Sequence, residues 1–380
     1  MALVRGGEKN LPRWSDFTVD YACMRTMSAG PAGIRKSLMK DKKKARRKSA
    51  PVMDSAPELL NHVRNLALRH DYLILFILIY IVYNTVSRMT MSGDTNPAAF
   101  LPLSLLLHQT LNFDAFIGAG LGPNVAYAFP LVNGHYYSLF PIVTPILITP
   151  LYFVSYMLST VFQVPFDTMS IMILAKTSAT IIAALSCVFV YLAVKELFSQ
   201  KIALATALVY AFATSTWSVS SQALWQHGTV ELLLILMIYV IIKNEREQSR
   251  NTIIFLGLLS GLFLFNRPPD AVLLLPIIGY VIWYERKNLP FYGISAVVAG
   301  LPFLVYNLSV FGNVFGGYKQ NLGFFTFGFD SIGNFFGLII APNVGLLVFS
   351  PVLLLSVFGY LKLDTISSVR IRQVLVVFGP

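Results

Sequence analysis

Repeated apolar runs constrain this chain more than any other feature. They cover residues 71–87, 139–162, 169–194, 202–219, 230–242, 252–265, 271–284, 289–310 and 344–361, and another begins at 373. About 20 apolar residues in a helix cross the ~30 Å of bilayer hydrocarbon, so the pattern predicts a polytopic membrane protein of about eight or nine transmembrane helices. Composition agrees, since only 12% of the residues are charged, against about a quarter in soluble domains. The fold class expected is all-α. Cys23 and Cys187 are the only cysteines, too few for a disulfide framework or a cysteine-rich metal site.

The net charge of +11 is concentrated at the N-terminus, where residues 1–70 hold 15 Lys/Arg against 6 Asp/Glu. Its densest stretch, "RKSLMKDKKKARRK" (35–48), has no apolar period and is expected to be disordered. A cytoplasmic tail drawn to anionic lipid accounts for it, at about 1 kcal/mol per basic residue near the surface. No nucleic-acid partner is expected. Met53 opens "MDSAPELL", so residues 1–52 are either native or an over-long translation start. The domains are thus a tail, 1–70, and a transmembrane domain, 71–380.

Short basic connectors separate the apolar runs: "KELFSQK" (195–201), "KNEREQSR" (243–250), "YERKN" (284–288) and "LKLDTISSVRIR" (361–372). Positive loops stay cytoplasmic. Placing the tail and these connectors inside accounts for 25 of the 29 basic residues and leaves Arg88, Lys176, Arg267 and Lys319. Parity then forbids 139–162 from crossing. Pro141, Pro145 and Pro150 suit a broken or interfacial helix there. Residues 91–168 become one large outer loop whose helices lie on or dip into the membrane. The runs 252–265 and 271–284 meet at "FNRPPD" (265–270), a break that points to a cavity near the outer face.

Six acids remain outside: Asp94, Asp114, Asp167, Glu231, Asp270 and Asp330. No metal-ligand spacing, nucleophile elbow or nucleotide loop occurs, so no cofactor and no metal are assigned. An enzyme outside the cell without a nucleotide motif must use a substrate already activated, such as a lipid-linked phosphosugar. Transfer from it needs a carboxylate to deprotonate the acceptor hydroxyl and cations to hold the leaving phosphate. Asp94, in "SGDTNP" directly after the first apolar run, serves either as that base or as helix-cap chemistry. For the cap chemistry, Asn96 can cap with Pro97 at the first helical position, and both roles coexist where Asn96 or Thr95 caps and Asp94 stays free.

The succession "SGDTNPAAFLPLSLLLHQTLNFDAF", "YYSLFPIVTPILITPLYF", "LAKTSATIIAALSCVFVYLAVKELFSQKIALATALVYAFATSTW" and "LLSGLFLFNRPPDAVLLLP" resembles the membrane glycosyltransferases of the C-type (GT-C) fold. Among these are the polyprenyl-phosphate-sugar-dependent mannosyl- and aminoarabinose transferases. The resemblance spans roughly residues 70–362. It implies a bundle with juxtamembrane helices in a large first outer loop, and a general-base Asp in that loop that falls on Asp94. It also implies a basic residue near the donor phosphate, which falls on Arg267. Relatives often carry an acid before the fourth span, where this chain has Gln226-His227 and, four residues on, Glu231. His227 substitutes for it, binds acceptor or satisfies a backbone carbonyl. The chain stops inside an apolar run at "VLVVFGP", whereas relatives continue.

The other cations have two readings each. Arg88 pairs with Asp94 or phosphate, or snorkels to the interface. Lys176 faces a lipid-phosphate cavity or the interface, and Lys319, beside Tyr318, suits an outer loop that contacts sugar or diphosphate. Asp114 reads as a turn or cap residue, and Asp270 as the ion-pair partner of Arg267. The expected function is an inverting membrane glycosyltransferase moving a sugar from a polyprenyl-phosphate donor to a lipid, glycan or protein hydroxyl outside the cell. The rival is a transporter or flippase of a lipid-linked substrate. Broken helices and intramembrane cations suit it too, but no internal repeat supports it.

Overall fold

The computed structural model of the chain describes residues 70–86, 92–117, 127–163, 167–319, 329–343 and 345–378. They belong to one compact unit beginning at Ala67. Arg88 and the 35–48 basic stretch lie outside the described residues. In chain order the elements are α1 (Asp71–Thr85), α2 (Asn96–Leu103), a hairpin of β1 (Leu131–Val132) and β2 (His135–Tyr136), α3 (Val143–Phe162), α4 (Thr168–Leu197) and α5 (Gln200–Phe212). There follow α6 (Gln226–Glu247), α7 (Arg250–Asn266), a 3-10 turn (Pro268–Leu274), α8 (Leu275–Tyr284) and α9 (Leu289–Phe311). The last four are α10 (Phe329–Ile340), α11 (Leu346–Phe349), α12 (Leu354–Tyr360) and α13 (Val369–Phe378).

Helices here are apolar on both faces, and only lipid accommodates that. On α1, Leu75, Ile79 and Tyr83 form a buried stripe at a spacing of four, while Leu73, Ile77 and Ile81 on the other face are exposed. Leu75, Ile79 and Tyr83 pack with Ala183, Cys187 and Tyr191 of α4 and with Ala203, Ala207 and Ala211 of α5. Small residues also bring α7 and α9 together. A Cβ on Gly257 would strike Ser295 and the Tyr292 carbonyl, one on Gly261 the Ala296 carbonyl, and one on Gly300 the Phe265 ring. Close backbone approach of this kind replaces the hydrophobic drive that lipid removes.

Two expectations about helix lengths change. Residues 143–162 form one unbroken helix of 20 residues. Pro141 precedes it, Pro145 falls in the first turn where no N–H bond is needed, and Pro150 alone is interior. The run 344–361 is split instead, because Pro351 opens a 3-10 turn between α11 and α12. Among the described residues, four helices are long and apolar enough to cross a membrane: α3, α4, α6, and α9 with its preceding turn. The helices α1, α5 and α7, with 15, 13 and 17 residues, are shorter than the ~20 of a full span.

Side-chain bonds set the directions. Asp71, at the start of α1, accepts bonds from Lys195 and Tyr191 near the end of α4 and from Gln200 of α5, while Tyr83 meets Cys187. So α1 and α4 are antiparallel. Glu196 pairs with Arg246 at 2.5 Å, which sets α6 parallel to α4. Asn244 bonds Tyr280 at 3.0 Å and Glu285 at 2.9 Å, and Arg370 lies 3.6 Å from Glu245. The four basic connectors therefore meet at one end of the bundle, knit by ion pairs.

The described parts of residues 92–163 pack with Ile171, Ala175 and Ala179 in the first half of α4 and with Leu224, toward the opposite end. Thr144, in the first turn of α3, bonds Asn266 at the far end of α7. At the other end of α3, Phe162 is six residues from Thr168, a reach of at most ~20 Å. Helix α4 has 30 residues, ~45 Å, and it ends at the basic connector. Phe162 is thus nearer the start of α4 than the basic end, and α3, long enough by length to cross, is expected to return to the half where it begins.

This geometry is testable with single cysteines at Leu131, Thr168 and Lys287, all exposed, in protein lacking Cys23 and Cys187. An impermeant thiol reagent applied to intact cells is expected to label the first two and to reach Lys287→Cys only after permeabilisation. Opposite labelling of Leu131→Cys and Thr168→Cys would mean that α3 crosses.

Candidate active site

Irregular backbone at the end remote from the basic connectors brings several of the sequence-selected residues together. Asp94 sits in the turn before α2. Thr95 occupies the cap position, but its hydroxyl closes the turn on Ser92, 3.0 Å from the amide and 3.2 Å from the carbonyl, and bonds no helix N–H. Asn96 is the first helical residue, buried, and its Oδ1 has no partner among the described residues, so it is not the cap. The Asp94 carboxylate is left free of capping. Among the described residues only the Tyr127 hydroxyl bonds it. That ring lies over Gly93, where any Cβ would collide with it. The bond to Asp94, partial burial and the carboxylate's charge push the Tyr127 hydroxyl up to about 12, so at neutral pH it is a proton donor.

The other acids are engaged elsewhere. Asp114 braces the hairpin, taking the His135 ring at 2.6 Å and the Tyr136 amide at 2.8 Å. Asp167 caps α4 through the Ser170 amide at 2.8 Å. Glu231 lies inside the bundle, bonded by Ser220 at 2.7 Å. The side chain of Asp330 lies outside the described residues. No group of three His, Cys, Asp or Glu suited to a metal ion occurs among the described residues.

Arg267 stands where α7 ends. Its backbone is extended (φ −153°, ψ 90°) and the two prolines of the 3-10 turn follow. The guanidinium is 26% exposed and paired with Asp270, which is 18% exposed. Burial opposes its charge, but Asp270, with Tyr318 beside it, holds the pKa above the usual arginine range. Tyr318 in turn places its ring 6.3 Å from that of Phe140, and Lys319 next to it is exposed. His227, in the first turn of α6, is exposed beside Trp225, and the charges of Arg267, Asp270 and Asp94 all act on its ring. Residues far apart in sequence thus share one electrostatic neighbourhood.

Lys176 is placed differently. It is 6% exposed, and its ammonium donates to the Ser221 carbonyl and to Gln222 Oε1, both at 2.8 Å. It secures the turn that leads into His227, and two of its three N–H donors are used there. Tyr127 escaped the sequence reading altogether, because nothing in local spacing ties it to Asp94.

A family model described as dolichyl-phosphate-mannose-protein mannosyltransferase matches residues 149–309. The match runs from within α3 almost to the end of α9, and includes Lys176, His227 and Arg267 but neither Asp94 nor Lys319. Comparison with curated proteins gives no match. An integral-membrane helical bundle, an interrupted α7–α8 pair carrying Arg267 and the matched family model agree with the resemblance drawn from the sequence. Over residues 149–309 the chain is thus similar to the dolichyl-phosphate-mannose-protein mannosyltransferases, which are membrane glycosyltransferases.

Proposed function

We propose that the protein transfers a sugar from a polyprenyl-phosphate donor to a hydroxyl of a lipid, glycan or protein acceptor on the extracytoplasmic face, with inversion. The observation that carries this reading is the convergence of Asp94, His227 and Arg267 at the end of the bundle opposite the basic connectors. Positive connectors face the cytoplasm, so the end remote from them faces outward.

The step is a single displacement. Asp94 accepts the proton of the acceptor hydroxyl, whose oxygen attacks the sugar's anomeric carbon. The bond from that carbon to the phosphate oxygen breaks, and the phosphate leaves with the electron pair. Arg267 receives the developing charge, assisted by the exposed Lys319. Tyr127, by donating to one carboxylate oxygen of Asp94, leaves the other free for the acceptor. His227 orients the acceptor. Lys176 supports the turn before it and need not touch substrate. Arg88, outside the described residues, retains either role, as phosphate contact or interfacial anchor.

Asp94→Asn keeps the acceptor for Tyr127 but cannot take a proton. Sugar release from polyprenyl-phosphate mannose is expected to fall by about 10²- to 10⁴-fold, with melting temperature nearly unchanged because Asp94 caps nothing. Tyr127→Phe keeps the ring over Gly93 and loses the donor; a drop of roughly 10-fold in kcat with little change in KM is expected. Wild-type turnover by Asp94→Asn would remove the base from the mechanism.

Arg267 allows a second test. Its planar fork grips phosphate through two parallel bonds that a lysine cannot reproduce. Arg267→Lys is expected to fold normally and to lose donor use strongly, while Asp270→Asn loses less. If both variants lose folding equally, and the surviving protein is fully active, the pair is a structural clamp only.

A further inference from the structure

Asn266 is the last residue of α7 and is 0% exposed. Both faces of its amide are used. Oδ1 accepts from the Thr144 hydroxyl at 2.8 Å, and Nδ2 donates to the Gln226 carbonyl at 3.1 Å. Thr144 also lies 2.9 Å from the Thr229 hydroxyl. One side chain thereby ties the end of α7 to the first turns of α3 and α6.

Its neighbours in the chain give this junction a use. Arg267 follows Asn266 directly, in extended backbone ahead of two prolines, so the place of the guanidinium depends on where α7 is stopped. His227 follows Gln226, whose carbonyl Asn266 holds. Only a short amide serves both partners. Aspartate has no N–H for the Gln226 carbonyl, leucine has neither group, and glutamine carries one methylene too many for a site with no free surface.

We infer that Asn266, braced by Thr144, is a positioning residue that fixes Arg267 and His227 in one register, so that the donor phosphate and the groups acting on the acceptor are held at a set separation. This rests on the phosphate role proposed for Arg267. Such a role differs from simple bundle stability because its loss passes through Arg267.

The test uses the full chain in nanodiscs and undecaprenyl monophosphate, without sugar, as the probe. Asn266→Ala is expected to weaken its binding at least about 10-fold. In an Arg267→Lys background the same change is expected to add less than about 2-fold, the non-additivity of residues that act as one unit. Thr144→Val, which keeps shape and loses the hydroxyl, should weaken binding as well, and Thr144→Ser should restore it; these two guard against poor folding of Asn266→Ala. Equal fold-losses in both backgrounds, or variants that bind like wild type, overturn the positioning role while leaving the phosphate role of Arg267 in place. A wild-type protein that does not bind the probe overturns both. Binding by wild type without sugar release from polyprenyl-phosphate mannose counts against the transferase chemistry alone, and the coupling result still decides the positioning role.

Discussion

Hydrocarbon contains no water to satisfy a broken helix, so every interruption in this bundle must be paired inside the protein or sit at its surface. That constraint organises the molecule. In the turn ahead of α2, between α5 and α6, and after α7, the irregular backbone gathers at the end remote from the basic connectors. Its polar groups are met by side chains brought from elsewhere: Lys176 bonds the Ser221 carbonyl, and Asn266 the Gln226 carbonyl. The basic end, by contrast, changes direction with tight turns such as the one between α8 and α9. A site needs departures from regular helix to expose side chains to a ligand, and the bundle concentrates them at one end.

Charges are divided between the ends in a similar way. At the basic end, Asp71, Glu196, Glu245 and Glu285 each bond partners from another segment, partly in water, where ion pairs serve alignment more than stability. Between the ends the buried polar contacts use neutral groups. Ser260 bonds Tyr292 at 3.0 Å, and the Thr144–Asn266–Thr229 cluster carries no charge. Neutral hydrogen-bonded groups cost far less to bury than ions. Lys176 and Glu231 are exceptions, a nearly buried ammonium held by two neutral oxygens and a carboxyl bonded by Ser220.

Much of this architecture was legible in the sequence, for identifiable reasons. Apolar runs and basic connectors are local features, and the ion pairs Glu196–Arg246 and Glu245–Arg370 draw those connectors together. The break after Asn266 was legible because Pro268 and Pro269 forbid the helix from continuing. Proline counting misled at 139–162, because the effect of a proline depends on its place in the helix, and two of the three fall before or within the first turn of α3. The site was less legible. Arg267, His227 and Asp94 were reached by motif, but the partners of Asp94 and Lys176 lie in other segments, and nothing near residue 94 or 176 announces Tyr127 or Gln222. Asn266 was hidden for another reason. An amide at a helix end reads as an ordinary terminator until its two long-range bonds are seen.

The pairing of Arg267 with Asp270 has two readings, ligand site and structural clamp, and they need not compete. An unpaired guanidinium costs at least about 2.5 kcal/mol at the bilayer centre and less near the face where Arg267 lies, and a carboxylate three residues on, in the same turn, offsets that cost locally. The bond to Asp270 uses one terminal nitrogen. Arginine has five N–H donors in a rigid fork, so the group keeps donors for a phosphate after its charge has been neutralised for residence in the membrane. Lysine in the same place would present a point charge without that fork. A structural pair that also binds ligand must release nothing when the ligand leaves, and Asp270 allows this: the guanidinium falls back on a partner already in contact, and no unpaired ion is left in the apolar end of α7.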